Sequence, residues 1–170
     1  MNKLMKRWIS ILLLAAVLPL LGSCDREDDV MEIFTGKTWK LSYIALEGTN
    51  EPYDFWGENT TAKENSLKAL AQTNSFTLEF EGVAQGETVS GNFNARVIRA
   101  SIEGTWQADG KERTFTTARV SQNGQETDVL AQAFLRGLQN AFRYEGDADN
   151  LFIYYRNGQD VMRLGFVPLQ

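Results

Sequence analysis

Residues 75–82, Ser75-Phe76-Thr77-Leu78-Glu79-Phe80-Glu81-Gly82, alternate apolar and polar side chains. Successive side chains of a strand point to opposite faces, so Phe76, Leu78 and Phe80 share one face and Thr77, Glu79 and Glu81 the other. One apolar face and one wet face predict a strand half-buried in an antiparallel sheet. The two glutamates could be read as an acid/base pair, but their place on the wet face accounts for them without chemistry.

The same pattern recurs on both sides of this stretch. In Lys37-Thr38-Trp39-Lys40-Leu41-Ser42-Tyr43-Ile44, Trp39, Leu41 and Tyr43 are expected on one face. Residues 47–61 lose periodicity and read as a long loop, and Leu67, Leu70 and Ala71 place a short helix over 62–72. Residues 88–98 form another strand. Residues 102–120 read as a hairpin turning at Asp109-Gly110, a pair suited to a type I′ turn. That turn would set Gly104 opposite Phe115, with Ile102, Trp106 and Phe115 facing inward. Val129, Leu130, Ala133, Phe134, Leu138, Ala141 and Phe142 recur at three- and four-residue steps, predicting a helix over 126–144 that stops at Gly146. A last hairpin turns at Asn157-Gly158, putting Leu151, Ile153, Tyr155, Met162, Leu164 and Phe166 on one apolar face. The result is a mainly β chain with one substantial helix before the last hairpin, its antiparallel sheet curled barrel-like or sandwich-like.

The N-terminal region carries an address. Lys3, Lys6 and Arg7 precede an apolar run, and Gly22 and Ser23 are small, the layout of a secretory signal. The run is shorter than the ~20 residues a membrane span needs. Leu21-Gly22-Ser23-Cys24 resembles a bacterial lipobox, which implies cleavage between Ser23 and Cys24 and lipidation of Cys24. Two or more acyl chains anchor a protein stably where one does not. The acidic run Asp25-Arg26-Glu27-Asp28-Asp29 resembles a lipoprotein surface-export signal, and a run of like charge also reads as a solvated tether. The expected organisation is signal peptide 1–23, acidic tether 24–32 and one β domain 33–170. The expected location is the outer membrane, lipid-anchored, with surface exposure favoured over a periplasmic face.

The pieces look like the META domain family of small bacterial envelope β-proteins. The matching stretches are Thr38-Trp39-Lys40-Leu41, Thr77-Leu78-Glu79-Phe80, Gly91-Asn92, the 126–144 helix and Leu164-Gly165-Phe166. The Gly-x-Trp pieces are also similar to those of lipocalins, so a lipocalin-like barrel covers both. The META resemblance implies a fold and no shared activity.

Composition narrows the chemistry. The chain has 17 basic and 22 acidic residues, no histidine and one cysteine, for a net charge of −5. Losing the basic signal deepens that acidity, which argues against nucleic acid as a partner. Without histidine or a second cysteine, Ser-His-Asp and Cys-His machinery and ordinary zinc sites are excluded. A carboxylate pair of the glycosidase kind stays open, because spacing in sequence does not fix spacing in space. Asp147-Ala148-Asp149-Asn150 could hold calcium but lacks the later Gly and Glu of an EF-hand loop, and reads as a polar turn. No catalytic residue, metal set or cofactor is assigned. Two readings follow: a non-enzymatic module that binds an envelope protein, or a barrel holding a small apolar ligand. Trp39, Tyr43, Trp56, Trp106, Phe152 and Tyr154 are candidates for a lining. Tyr53, Phe55 and Trp56, lying in a loop, are the candidate partner contact.

Overall fold

The computed structural model describes residues 26–169. Eight strands make one antiparallel sheet in the order β5-β4-β3-β2-β1-β8-β7-β6. They are β1 (Thr38–Leu46), β2 (Thr77–Gln85), β3 (Thr88–Arg96), β4 (Ser101–Asp109), β5 (Phe115–Asn123), β6 (Ala141–Gly146), β7 (Leu151–Asn157) and β8 (Asp160–Pro168). Helix α1 (Arg26–Phe34) precedes β1, α2 (Thr60–Leu70) joins β1 to β2, and α3 (Val129–Gln139) joins β5 to β6. Each strand pairs with its sequence neighbour except across α3, and β8 returns to pair with β1. The sheet therefore curls like a barrel without closing. Its edge strands meet at one end, where Thr114 bridges Arg143 and Tyr144 N donates to Arg113 O at 3.1 Å.

The inward residues fill the interior. Phe76, Leu78 and Phe80 are buried while Glu79 and Glu81 are exposed, as the alternation predicts. Ile102, Trp106 and Phe115 also face inward. One mouth is covered by α1. The other lies under α2, α3 and the loop between β1 and α2, with Phe134 of α3 meeting Phe76 and Phe166, both at 6.0 Å. Asp128 caps α3 by accepting from Ala131 N at 2.9 Å.

Several local expectations are corrected. The segment expected as an acidic tether enters α1 at Arg26, and Val30, Ile33 and Phe34, spaced i, i+3, i+4, are buried. The expected domain start at 33 thus falls inside a helix. Tyr43 does not share a face with Trp39 and Leu41. A bulge between Leu41 and Tyr43 shifts the register, so Ile44 turns inward and Tyr43 outward over Gly165. In α2, Ser66 and Ala69 are the buried residues and Leu67 is exposed.

The β4–β5 turn is longer than two residues. Asp109 N donates to Thr114 O, and the Asp109 carboxylate accepts from Lys111 N and Glu112 N. Ala108 therefore faces Phe115, and the ring over Gly104 is Phe93. The helix expected over 126–144 ends at Gln139, since 142–145 alternate aromatic and charged side chains and the segment pairs with β7 as β6, with a bulge between Ala141 and Arg143. Gly146 ends that strand and not the helix. The last hairpin turns on Gly158-Gln159, with Asn157 paired to Asp160 and Gly158 at φ +66°. A type II′ turn places glycine first in this way. The register moves by two residues, which keeps every side chain on its expected face.

Candidate functional site

Tyr53, Phe55 and Trp56 come together as expected, but they do not stand free. Tyr53 and Phe55 lie 4.7 Å apart, Phe55 and Trp56 6.1 Å, and all three pack partly buried against the core. Trp56 Nε1 donates to Ser66 Oγ at 2.8 Å, and Ser66 Oγ donates to Asp128 Oδ2 at 2.5 Å. Ser66 is wholly buried. The loop, α2 and the N-cap of α3 are thus tied by one chain of hydrogen bonds. Trp39 and Trp106 are core residues, 0% and 2% exposed. Ser23 and Cys24, the expected cleavage and lipidation positions, lie outside the described residues.

The outward face of the sheet has two different halves. Over β6, β7, β8 and β1 it is aromatic, and arginines cover the rings. The Arg143 guanidinium lies 3.8 Å from the Tyr154 ring, and Arg163 sits over Phe152 at 5.1 Å and Tyr43 at 5.4 Å. Arg143 pairs with Glu47 and Glu145, and Arg163 donates to Thr49 O and to Asn50 Oδ1. Burial raises the Tyr154 hydroxyl above its ordinary pKa, and its bond to Glu145 adds to the shift. Tyr43, Phe152 and Tyr154, candidates for an inner lining, belong to this outer layer. Phe152 and Tyr154 at alternate positions of β7, opposite the second-face residue Arg163 of β8, were the signal in the sequence.

Over β2 to β5 the outward face is polar. A hollow of about 440 Å³ is lined by Glu79, Glu81, Asn92, Asn94, Glu103 and Arg119, among others. Glu103 pairs with Ser121 and Thr105 with Ala118, so β5 carries one extra residue at this point. Arg119 absorbs it at φ +51°, a conformation costly for a residue with a side chain. Among the described residues Arg119 forms no ion pair, although three glutamates line the same hollow. Sequence reasoning missed this bulge, since no glycine marks it.

Two further charged groups are structural. Burial would raise the Glu126 carboxyl, but N–H donors of Asp128, Arg99, Thr127 and Ile98 outweigh it and hold the pKa below its ordinary value. Asp147 accepts from the backbone N–H of Asp149 and of Asn150, which closes the 147–150 turn. No group of three or more metal-binding side chains occurs among the described residues. No helix among them is long and apolar enough to cross a membrane.

No curated protein matches the chain. Among solved structures, the chain resembles the crystal structure of a DUF4847 family protein from Bacteroides vulgatus ATCC 8482. The two share 26% identity with a TM-score of 0.60, over 81% of this chain and 96% of that one. Residues 25–168 match DUF4847, a domain of unknown function, and the chain belongs to that family.

Proposed function

We propose that this protein is a lipid-anchored lipoprotein of the outer membrane, facing the cell surface, whose domain is a non-enzymatic interaction module. The position of Cys24 carries the reading. The family match begins at residue 25 and α1 at Arg26, so the fold starts directly behind the one cysteine that a lipobox would acylate. Support for a binding role comes from the outward face. Arg119 is held in a strained conformation over a polar hollow, while Ser66, paired to Asp128, is sealed from solvent. The partner is an envelope protein contacting that polar face. The META-like and lipocalin-like likeness rests on strand order and aromatic spacing and adds no activity.

The test is Cys24→Ser in the native cell. The wild-type chain takes up labelled palmitate, fractionates with the outer membrane and is shaved from intact cells by added protease. The variant loses the label and the membrane fraction. Continued labelling, or a wild-type protein that stays soluble, rejects the anchor. Resistance to shaving with labelling intact rejects only the surface orientation.

A further inference from the structure

We infer that α1 is a removable plug: it fills with Phe34 an aromatic slot between the two edge strands, and its withdrawal opens a binding site for a planar apolar molecule of one or two rings.

The slot is built for a ring. Around Phe34 stand Trp106 at 4.8 Å, Tyr144 at 4.9 Å, Phe80 at 5.0 Å and Phe115 at 5.4 Å. Phe115 lies parallel to Phe34 within 4°, while Phe80 and Tyr144 meet it edge-on. These are the offset-stacked and edge-to-face geometries by which aromatic rings attract one another. The walls come from β2, β4, β5 and β6. Two of them, Phe115 and Tyr144, belong to the edge strands, which join only at this end.

The occupant is held differently from the walls. The walls stand on strands laddered by backbone hydrogen bonds. Residues 30–34 give the sheet no hydrogen bond, and burial of Val30, Ile33 and Phe34 holds this last turn of the helix in place. Its nine residues are fewer than the ~12 an isolated helix needs to be even marginally stable, so it stays helical while docked. Gly36 follows at φ +76° with open space around it, a ready hinge. A cleft of about 480 Å³, lined by Glu32, Ile33, Arg113, Gly146, Asp147 and Asp149, already opens beside the helix. Withdrawing α1 therefore breaks no ladder and leaves a lined slot with an entrance. This is the lipocalin-like ligand site expected of the barrel, closed in the resting fold by the chain itself. The wild-type affinity is then the slot's own affinity reduced by the fraction of molecules with the plug out.

Two measurements on the full chain in lipid nanodiscs test this. In native-state hydrogen exchange, the amides of 30–34 are expected to exchange through a local opening, at least roughly tenfold faster than those of β1 to β4. Indole, followed by saturation-transfer NMR against empty nanodiscs, is expected to bind Phe34→Ala saturably and roughly tenfold or more tighter than wild type. Exchange of α1 only together with the strands overturns the proposal, and does so whether or not the variant folds. A folded Phe34→Ala that binds indole no better than wild type overturns it as well.

Discussion

Trp56 is a structural tie, and a double-mutant cycle with Ser66 measures how strong. Ser66 Oγ receives the Trp56 indole N–H and gives its own proton to Asp128, in a site closed to solvent. Ser66→Ala removes a hydrogen bond to a carboxylate, worth ~1.5–3 kcal/mol, and strands the indole donor as well. The expected loss is ~2–3 kcal/mol, or roughly 3 °C of melting temperature per kcal/mol for a domain of this size. Trp56→Phe keeps most of the ring and loses only the neutral bond, ~1 kcal/mol. The double variant loses the shared bond once. Its cost is expected to fall below the sum of the singles by ~1 kcal/mol. Urea denaturation of the four proteins reads the coupling directly. Additivity within ~0.3 kcal/mol would refute the bond, and Trp56 would then be free to meet a partner.

The remaining expectations concern packing and titration. A Cβ at Gly165 would lie 2.8–3.2 Å from three atoms of the Tyr43 ring. Gly165→Ala should cost ~1–2 kcal/mol by urea midpoint, and the penalty should vanish in a Tyr43→Ser background; a penalty that persists there places the clash elsewhere. Burial pushes the Lys40 ammonium down to about 8, although it donates to Gln72 O and Ser75 O. The folded state then releases this proton before the unfolded chain, whose lysine keeps it to about 10.5. The contribution of Lys40 to stability should therefore rise with pH above about 8. Comparing the pH slopes of wild type and Lys40→Met over this range isolates the group, and equal slopes would show that Lys40 titrates normally.

Much of the sheet was legible because strand alternation reports burial directly. Residues 75–82 and the apolar face of the last hairpin were read from period two alone. That reading fails wherever the chain adds a residue. The bulge after Leu41 sends Tyr43 outward, and the bulge at Arg119 lacks the glycine that would have announced it. Turn signals located the hairpins but miscounted them. At Asp109-Gly110 the aspartate accepts from the next turn instead of sitting in a two-residue loop, while at Asn157-Gly158 the shift by two was harmless to the faces. The helix overran because Ala141 and Phe142 continue the three-to-four residue spacing from Leu138 while Phe142-Arg143-Tyr144-Glu145 also alternates, and only the partner β7 decides between them. At the candidate site, the loop aromatics were found and their burial was not, because Ser66 and Asp128 are remote in sequence. The expected domain start at 33 falls one residue before Phe34, the centre of the ring cluster, which no period in the sequence singled out. The mainly β, barrel-like architecture was legible in the strand pattern, whereas the family that the chain matches is DUF4847.

Trp39 is paired with Pro168 and Leu46 with Met162, so the first strand made is finished by the last. Chains grow from the amino end, and β1 to β5 can zip into local hairpins as they emerge. One side of β1 nevertheless waits, unpaired, until β8 has been made. Closing so long a loop slows folding, since the entropy of bringing distant segments together is lost before their contacts form. A chain shortened by its last strand would leave the Leu41 and Ile44 strand as an open, sticky edge in the middle of the sheet. The order of the strands thus acts as a timing rule, under which the sheet completes only once its eighth strand has been made.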